Sequence, residues 1–112
     1  MKFETHASDT SATLKLKERK LDSSIAAELK GEFLLLCTPK IKTLVIDLGQ
    51  VEFCDSSGLS ALLIGERKMK EHGGVVRLVH VHKKVLSLLK ISMLDRLFEI
   101  EEVSGSEKKA KA

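Results

Sequence analysis

Two hydroxyls and a carboxylate stand side by side in Asp55-Ser56-Ser57-Gly58-Leu59, after the apolar stretch Val51 to Cys54 and ahead of a helical apolar stripe. Side chains at a helix start meet backbone amides that lack intrahelical partners and carry partial positive charge. Such a place suits an anion, and a phosphate on serine in particular. Asp and Ser are also ordinary capping residues, and any helix could begin with them. One cap would suffice, however, and here three polar side chains and a glycine follow one another. Gly58 is expected to keep the surface open, so that another protein's backbone or a nucleotide can approach Ser57.

Other chemistries find less support. A serine nucleophile on an elbow requires G-x-S-x-G, which Cys54 to Leu59 do not present, and it also needs an oriented base. His80 and His82 lie at the end of the next strand and are read as part of a polar loop. As metal ligands on one strand face they lack a third partner. His6 and His72 read as surface residues without partners. Cys37 and Cys54 sit inside apolar stretches and are expected as reduced core thiols. No catalytic residue, metal or cofactor is expected.

The elements that must position this passage follow from periodicity. Met1 to Ser8 is a short candidate strand, and Ala12 to Lys17 alternates as a half-solvated strand does. Asp22-Ser23-Ser24 offers N-caps for a helix with Ile25, Ala26, Leu29, Phe33 and Leu36 on one stripe, stopped by Pro39. Leu44 to Leu48 is a nearly continuous apolar run, which predicts a central strand buried on both faces. Leu59, Leu62, Leu63 and Met69 trace a second helix, with Glu66, Arg67, Lys68, Lys70 and Glu71 assigned to its solvated face. Gly73-Gly74 ends that helix ahead of a strand from Val75 to Val79, completing a βαβ unit. A third helix presents Val85, Leu88 and Leu89 inward, and Arg96 to Ile100 is expected as a last strand. Residues 1–103 then form one domain. Ser104 to Ala112, without a large apolar residue, is expected as a mobile tail.

Composition bounds the function. The chain has 112 residues, 43% hydrophobic and 31% charged, the balance of a single globular domain. No apolar run approaches the ~18 residues that would span a bilayer, and no secretory signal opens the sequence. The expected place is the cytoplasm, with no direct membrane insertion. The formal charge of +3 includes a tail with three lysines and one glutamate, which leaves the remainder almost neutral. With neither Trp nor Tyr and four Phe, the chain has little to stack on bases, so nucleic acid is not an expected partner. Thr13 to Lys17, read as an exposed edge, could pair in a homodimer.

The passage Asp47-Leu48-Gly49-Gln50-Val51-Glu52-Phe53-Cys54-Asp55-Ser56-Ser57-Gly58-Leu59 resembles the signature of the STAS domain. More narrowly it is similar to the bacterial anti-sigma-factor antagonists, whose pattern is D-L-x-x-V-x-F-x-D-S-S-G-L. Leu21-Asp22, Gly73-Gly74 and Val85 to Leu89 extend the likeness, which covers about Thr13 to Ile100. Three departures stand out. Arg19 replaces a glycine, Ser92-Met93-Leu94 replaces (S/T)-G-L, and the C-terminal helix is short or missing.

The resemblance implies an α/β fold: a STAS-like mixed sheet of four to five strands with helices packed largely on one side. It also implies a switch. Ser57 would be phosphorylated by an anti-sigma serine kinase of the GHKL type, which the unmodified protein binds, and a PP2C-type phosphatase would restore the hydroxyl. Asp22, Ser23, Asp55, Ser56, Gly58 and Leu59 would form the partner surface, because the resemblance sets both helix starts on one rim. The rival implied by the same resemblance is a STAS subunit of a membrane ABC transport assembly.

Overall fold

Phe3–Ala7 (β1) and Ser11–Leu16 (β2) form an antiparallel hairpin closed by the Ser8 amide donating to the Ser11 carbonyl at 2.8 Å. The computed structural model describes residues 1–102, so the expected tail from Ser104 lies outside the described residues. Along the chain follow Lys20–Leu21 (β3), Ser23–Leu36 (α1), Thr43–Asp47 (β4) and Phe53–Cys54 (β5). Then come Ser56–Lys70 (α2), Val75–Val81 (β6), Lys83–Ile91 (α3), a 3-10 turn at Asp95–Leu97 and Glu99–Glu102 (β7). The main sheet has the order β1-β2-β4-β6-β7, with every pair parallel except β1 with β2. The short strands β3 and β5 form a separate parallel pair.

Alternation decides which face of the sheet is covered. Ala12, Leu14, Leu16, Leu44, Ile46, Val76 and Leu78 are buried in one core with Ile25, Leu29 and Phe33 of α1, Leu62 and Met69 of α2, and Val85 and Leu89 of α3. Thr13, Lys15, Val45 and Arg77, on the other face, stay partly exposed. β4 is central as expected, but it is not buried on both faces. Its unbroken apolar run is possible because Val45 lies between Thr13 and Arg77 in register, where the arginine's aliphatic stem can shelter it.

Four further expectations change. Thr13 to Lys17 is not an edge, since β2 lies between β1 and β4; the sheet's edges are β1 and β7. The last strand starts at Glu99 rather than Arg96, because a 3-10 turn takes up Asp95–Leu97. Glu66 is not on the solvated face of α2: it is 8% exposed, with its carboxylate 3.6 Å from the Lys70 ammonium. His72 does have a partner, its ring Nε2 donating to the Ile41 carbonyl at 2.8 Å.

Two helices end in the same way with different residues. The Gly74 amide donates to the Met69 carbonyl and the Gly73 amide to the Lys70 carbonyl, with Gly73 at φ +79°. This is the left-handed termination that glycine favours. At the end of α3 the Leu94 amide reaches the Leu89 carbonyl at 2.9 Å and the Met93 amide reaches Lys90 at 3.0 Å. There Met93 holds the left-handed position, at φ +61°, where the family pattern has glycine. A side chain in that region costs about 1–2 kcal/mol. Because Met93 is largely exposed, Met93→Gly loses little packing. It is expected to raise stability by about 1 kcal/mol in urea unfolding, whereas Met93→Ala should gain nothing.

Candidate functional site

Each strand of the small β3–β5 pair runs straight into a helix. Lys20 is in register with Phe53 and Leu21 with Cys54, and the next residue on each chain is the N-cap of α1 or α2. The pairing is fastened by the Glu52 and Phe53 amides, which donate to the Arg19 carbonyl at 2.8 and 3.1 Å, and by the Asp55 amide, which donates to Leu21 at 3.2 Å. Two helix starts that are distant in sequence thus lie side by side. The rim is set by this pair and not by the carboxyl end of β4.

The caps differ. The Asp22 carboxylate accepts from the Ser24 hydroxyl at 2.6 Å and the Ser24 amide at 3.0 Å. Those two hydrogen bonds, the hydroxyl's first, hold Asp22 below the ordinary carboxylate pKa. Asp55 accepts from the Gly58 amide at 3.0 Å. Ser56 and Ser57 occupy the first two helical positions of α2; Ser56 is exposed and Ser57 half-buried. Their amides belong to the set that a helix leaves without internal partners. A group on the Ser57 oxygen would therefore sit over the positive end of α2, beside the Asp55 carboxylate.

Gly58 is required here for a reason other than the expected one. It is buried, and a Cβ on it would lie 2.2 Å from the Leu21 carbonyl oxygen, 2.7 Å from Leu21 Cγ and 2.9 Å from Cys54 Sγ. Glycine lets α2 approach β3; it does not open the surface. Leu59 is likewise part of the core and offers a partner almost nothing. Of the remaining residues named from the sequence, Ser23 and Ser56 are exposed, while Asp22, Asp55 and Ser57 are half-buried. Sequence reasoning passed over Phe53 as a surface group, although it is 51% exposed on the same rim. Its alternation with the adjacent Cys54, which is buried, was the available signal.

The other reactive side chains stand apart from Ser57. The His80 ring Nδ1 lies 3.0 Å from the Asp47 carboxylate, and the His82 ring donates to the Gly49 carbonyl at 2.6 Å. His80 holds a left-handed backbone, φ +56°, at an irregularity in the β6–β7 pairing. His80 belongs to β6 and His82 caps α3, so neither lies in a loop proper. Among the described residues no histidine is hydrogen-bonded to Ser57, and no group of three metal-ligating side chains converges. Cys37 and Cys54 are free and buried; burial pushes their thiols up to about 11 and about 12, and the Asp55 charge adds to the effect on Cys54.

Residues 3–100 match the family model described as Mlab, STAS domain. The chain belongs to the STAS domain family. Among solved structures it is similar to an anti-sigma-factor antagonist (STAS) domain protein from Planctomyces limnophilus, at 20% identity and a TM-score of 0.79, covering 94% of this chain and 93% of that one. It is also similar to the Bacillus cell fate determinant SpoIIAA in its phosphorylated form, at 16% identity and a TM-score of 0.70, covering 88% and 90%. A sulfate transporter family protein from Wolinella succinogenes matches at 16% identity and a TM-score of 0.70, covering 82% and 76%. At these identities the likeness establishes the STAS fold. No helix among the described residues is long and apolar enough to cross a membrane.

Two outcomes test this geometry. Gly58→Ala should cost the STAS domain about 1–3 kcal/mol in urea unfolding, since backbone must move to admit one methyl. Because the Asp22 pKa is lowered on folding, the unfolded chain binds more protons just below the ordinary Asp value of about 3.9. The Asp22 contribution is present above that pH and is lost as pH falls through the lower, folded value. Wild type should therefore lose more stability between about pH 5 and pH 3 than Asp22→Asn, which keeps a cap but does not titrate.

Proposed function

We propose that this STAS domain is an anti-sigma-factor antagonist, a phosphorylatable protein-interaction switch of the cytoplasm. Unphosphorylated, it binds an anti-sigma serine kinase of the GHKL type. Phosphorylation at Ser57 releases it, and a PP2C-type phosphatase resets it. The role is regulatory, and the chain itself is a substrate rather than an enzyme. The observation that carries this reading is the half-buried Ser57 hydroxyl at the second position of α2, with the start of α1 beside it. A kinase must present its active site to Ser57, so its footprint falls on Asp22 and Ser23 as well as Asp55 and Ser56.

The charge arithmetic suits a switch. A phosphate adds about −1.5 to −2 charges to a surface that met its partner as a neutral hydroxyl. The α2 dipole tolerates the added charge in the free protein, while Asp55 accentuates it toward a partner. The resemblance to SpoIIAA, solved in a phosphorylated form, supports this reading.

A second reading is a non-enzymatic regulatory subunit docked on the ATPase of a membrane ABC transport assembly. The likeness to a sulfate transporter family protein favours it. The intact Asp55-Ser56-Ser57-Gly58 favours the first.

Incubation with ATP and a cognate anti-sigma serine kinase should add one phosphate, placed on Ser57 by tryptic mass spectrometry. Phosphate only on Ser56 or Ser23 would refute the assignment. In calorimetry against the cognate kinase domain, Ser57→Ala should keep its affinity and Ser57→Asp should lose much of it. Asp22→Lys should weaken both binding and phosphorylation, whereas Lys70→Glu should change little. Recovery of a transporter ATPase as the dominant native partner would decide for the second reading.

A further inference from the structure

We propose that the outward face of α1 is a self-association surface, on which a second copy of this chain docks antiparallel about a two-fold axis at Gly31. The inference stands apart from the Ser57 reading and needs no kinase. α1 is apolar on both sides. Ile25, Ala26, Leu29 and Phe33 fill the core, but Leu34 and Leu35 lie on the other side and are 58% and 73% exposed. With Ala27, Glu28 and Gly31 they form one exposed face, which at about 100° per residue is centred on Gly31. A surface helix ordinarily keeps that side polar.

Nothing within the described domain calls for Gly31. A glycine in mid-helix weakens the helix relative to alanine. The other two helical glycines serve packing: a Cβ on Gly58 would strike Leu21, and one on Gly65 would lie 3.0 Å from the Phe33 ring. On Gly31 it would meet nothing within 4 Å. Bare backbone at that point serves only a neighbour that arrives from outside.

The face is complementary to its own inverted copy. A two-fold axis at Gly31 sets each residue opposite the one equally far beyond Gly31 on the second helix. The two glycines then meet and let the backbones approach, and Leu35 lies over the second copy's Ala27, large on small. At the margins Lys30 faces the second copy's Glu32, and Glu32 faces its Lys30. Neither has an ion pair among the described residues. Glu28 brings no unmatched charge, since its carboxylate lies 3.1 Å from the Met1 amino group. The antiparallel arrangement also aligns the two helix dipoles favourably. One helix face buries less than the ~800 Å² per partner of a standard interface, so the dimer is a weak one.

Sedimentation velocity of the full chain over a range of concentrations tests this. It should show a monomer–dimer equilibrium with a Kd of about 10–500 μM. Gly31→Gln puts bulk into the seam without touching anything in the monomer. It should weaken the dimer roughly tenfold while leaving the urea midpoint no lower. Lys30→Glu and Glu32→Lys should each weaken association a few-fold, and the two combined should restore it, because the pairs form again with their signs exchanged. A chain that stays monomeric to about 1 mM overturns the proposal and leaves the face to a different protein. So does a dimer that Gly31→Gln leaves intact, or one in which the combined charge exchange does no better than either single change.

Discussion

The close approach of Leu21 to the first turn of α2 is the constraint on which the rest of the site depends. Leu21 is fully buried; its carbonyl accepts from the Asp55 amide and lies where any Cβ on Gly58 would have to be. Together with the two amides on the Arg19 carbonyl, that contact holds β3 against β5, and the two-residue register then places both capping aspartates next to each other. Overpacking at such a point cannot be absorbed by a flexible side-chain end, because the obstacle is backbone. Glycine within D-S-S-G is thus a packing requirement, which makes the geometry of the hydroxyls above it reproducible.

The open face of the sheet and the rim of helix starts present different chemistry. On the open face of the sheet, Arg77 lies 3.6 Å from Glu99 and 4.0 Å from Glu101, and Lys17 pairs with Glu4 near the edge. Exposed pairs of this kind are worth about 0–1 kcal/mol each, so they do little for stability. The rim of helix starts differs: it carries hydroxyls and a half-exposed aromatic ring. A partner gains more there than on the sheet.

Local signals in the sequence were read well, and non-local ones less so. The alternation of Ala12, Leu14 and Leu16, the capping aspartates and the glycine pair at 73–74 each act through neighbours a few residues away, and each produced the expected element. Strand order is not local: the alternation of Thr13 to Lys17 reads as an edge, but β1 covers it. The β4 run concealed its half-exposed face because Val45 is sheltered by neighbours on other strands. Glu66 has a similar history: its charge suggested solvent, but the wheel places it at the border of the α1 contact, within reach of Lys70. At the start of α2, the capping place of Asp55 and the first-turn places of Ser56 and Ser57 are legible from their types. Gly58 and Leu59 were misassigned because only the packing reveals which side of the turn faces inward.

Position within α2 also decides what kind of switch a phosphate on Ser57 could be. A charge placed mid-helix or at a carboxyl end would oppose the dipole and weaken the fold. At the second position it meets unpaired amides and the positive end of the helix, so the folded state is not undermined. Asp55 remains bound to the Gly58 amide, which keeps its charge at the cap and close to any phosphate. Two like charges on one turn raise the local negative potential without a bond inside the domain having to break. A phosphate there would therefore be felt across an interface rather than through the core. The rigid Leu21–Gly58 contact beneath reinforces this, since a turn that cannot move can transmit a modification only through what it presents outward.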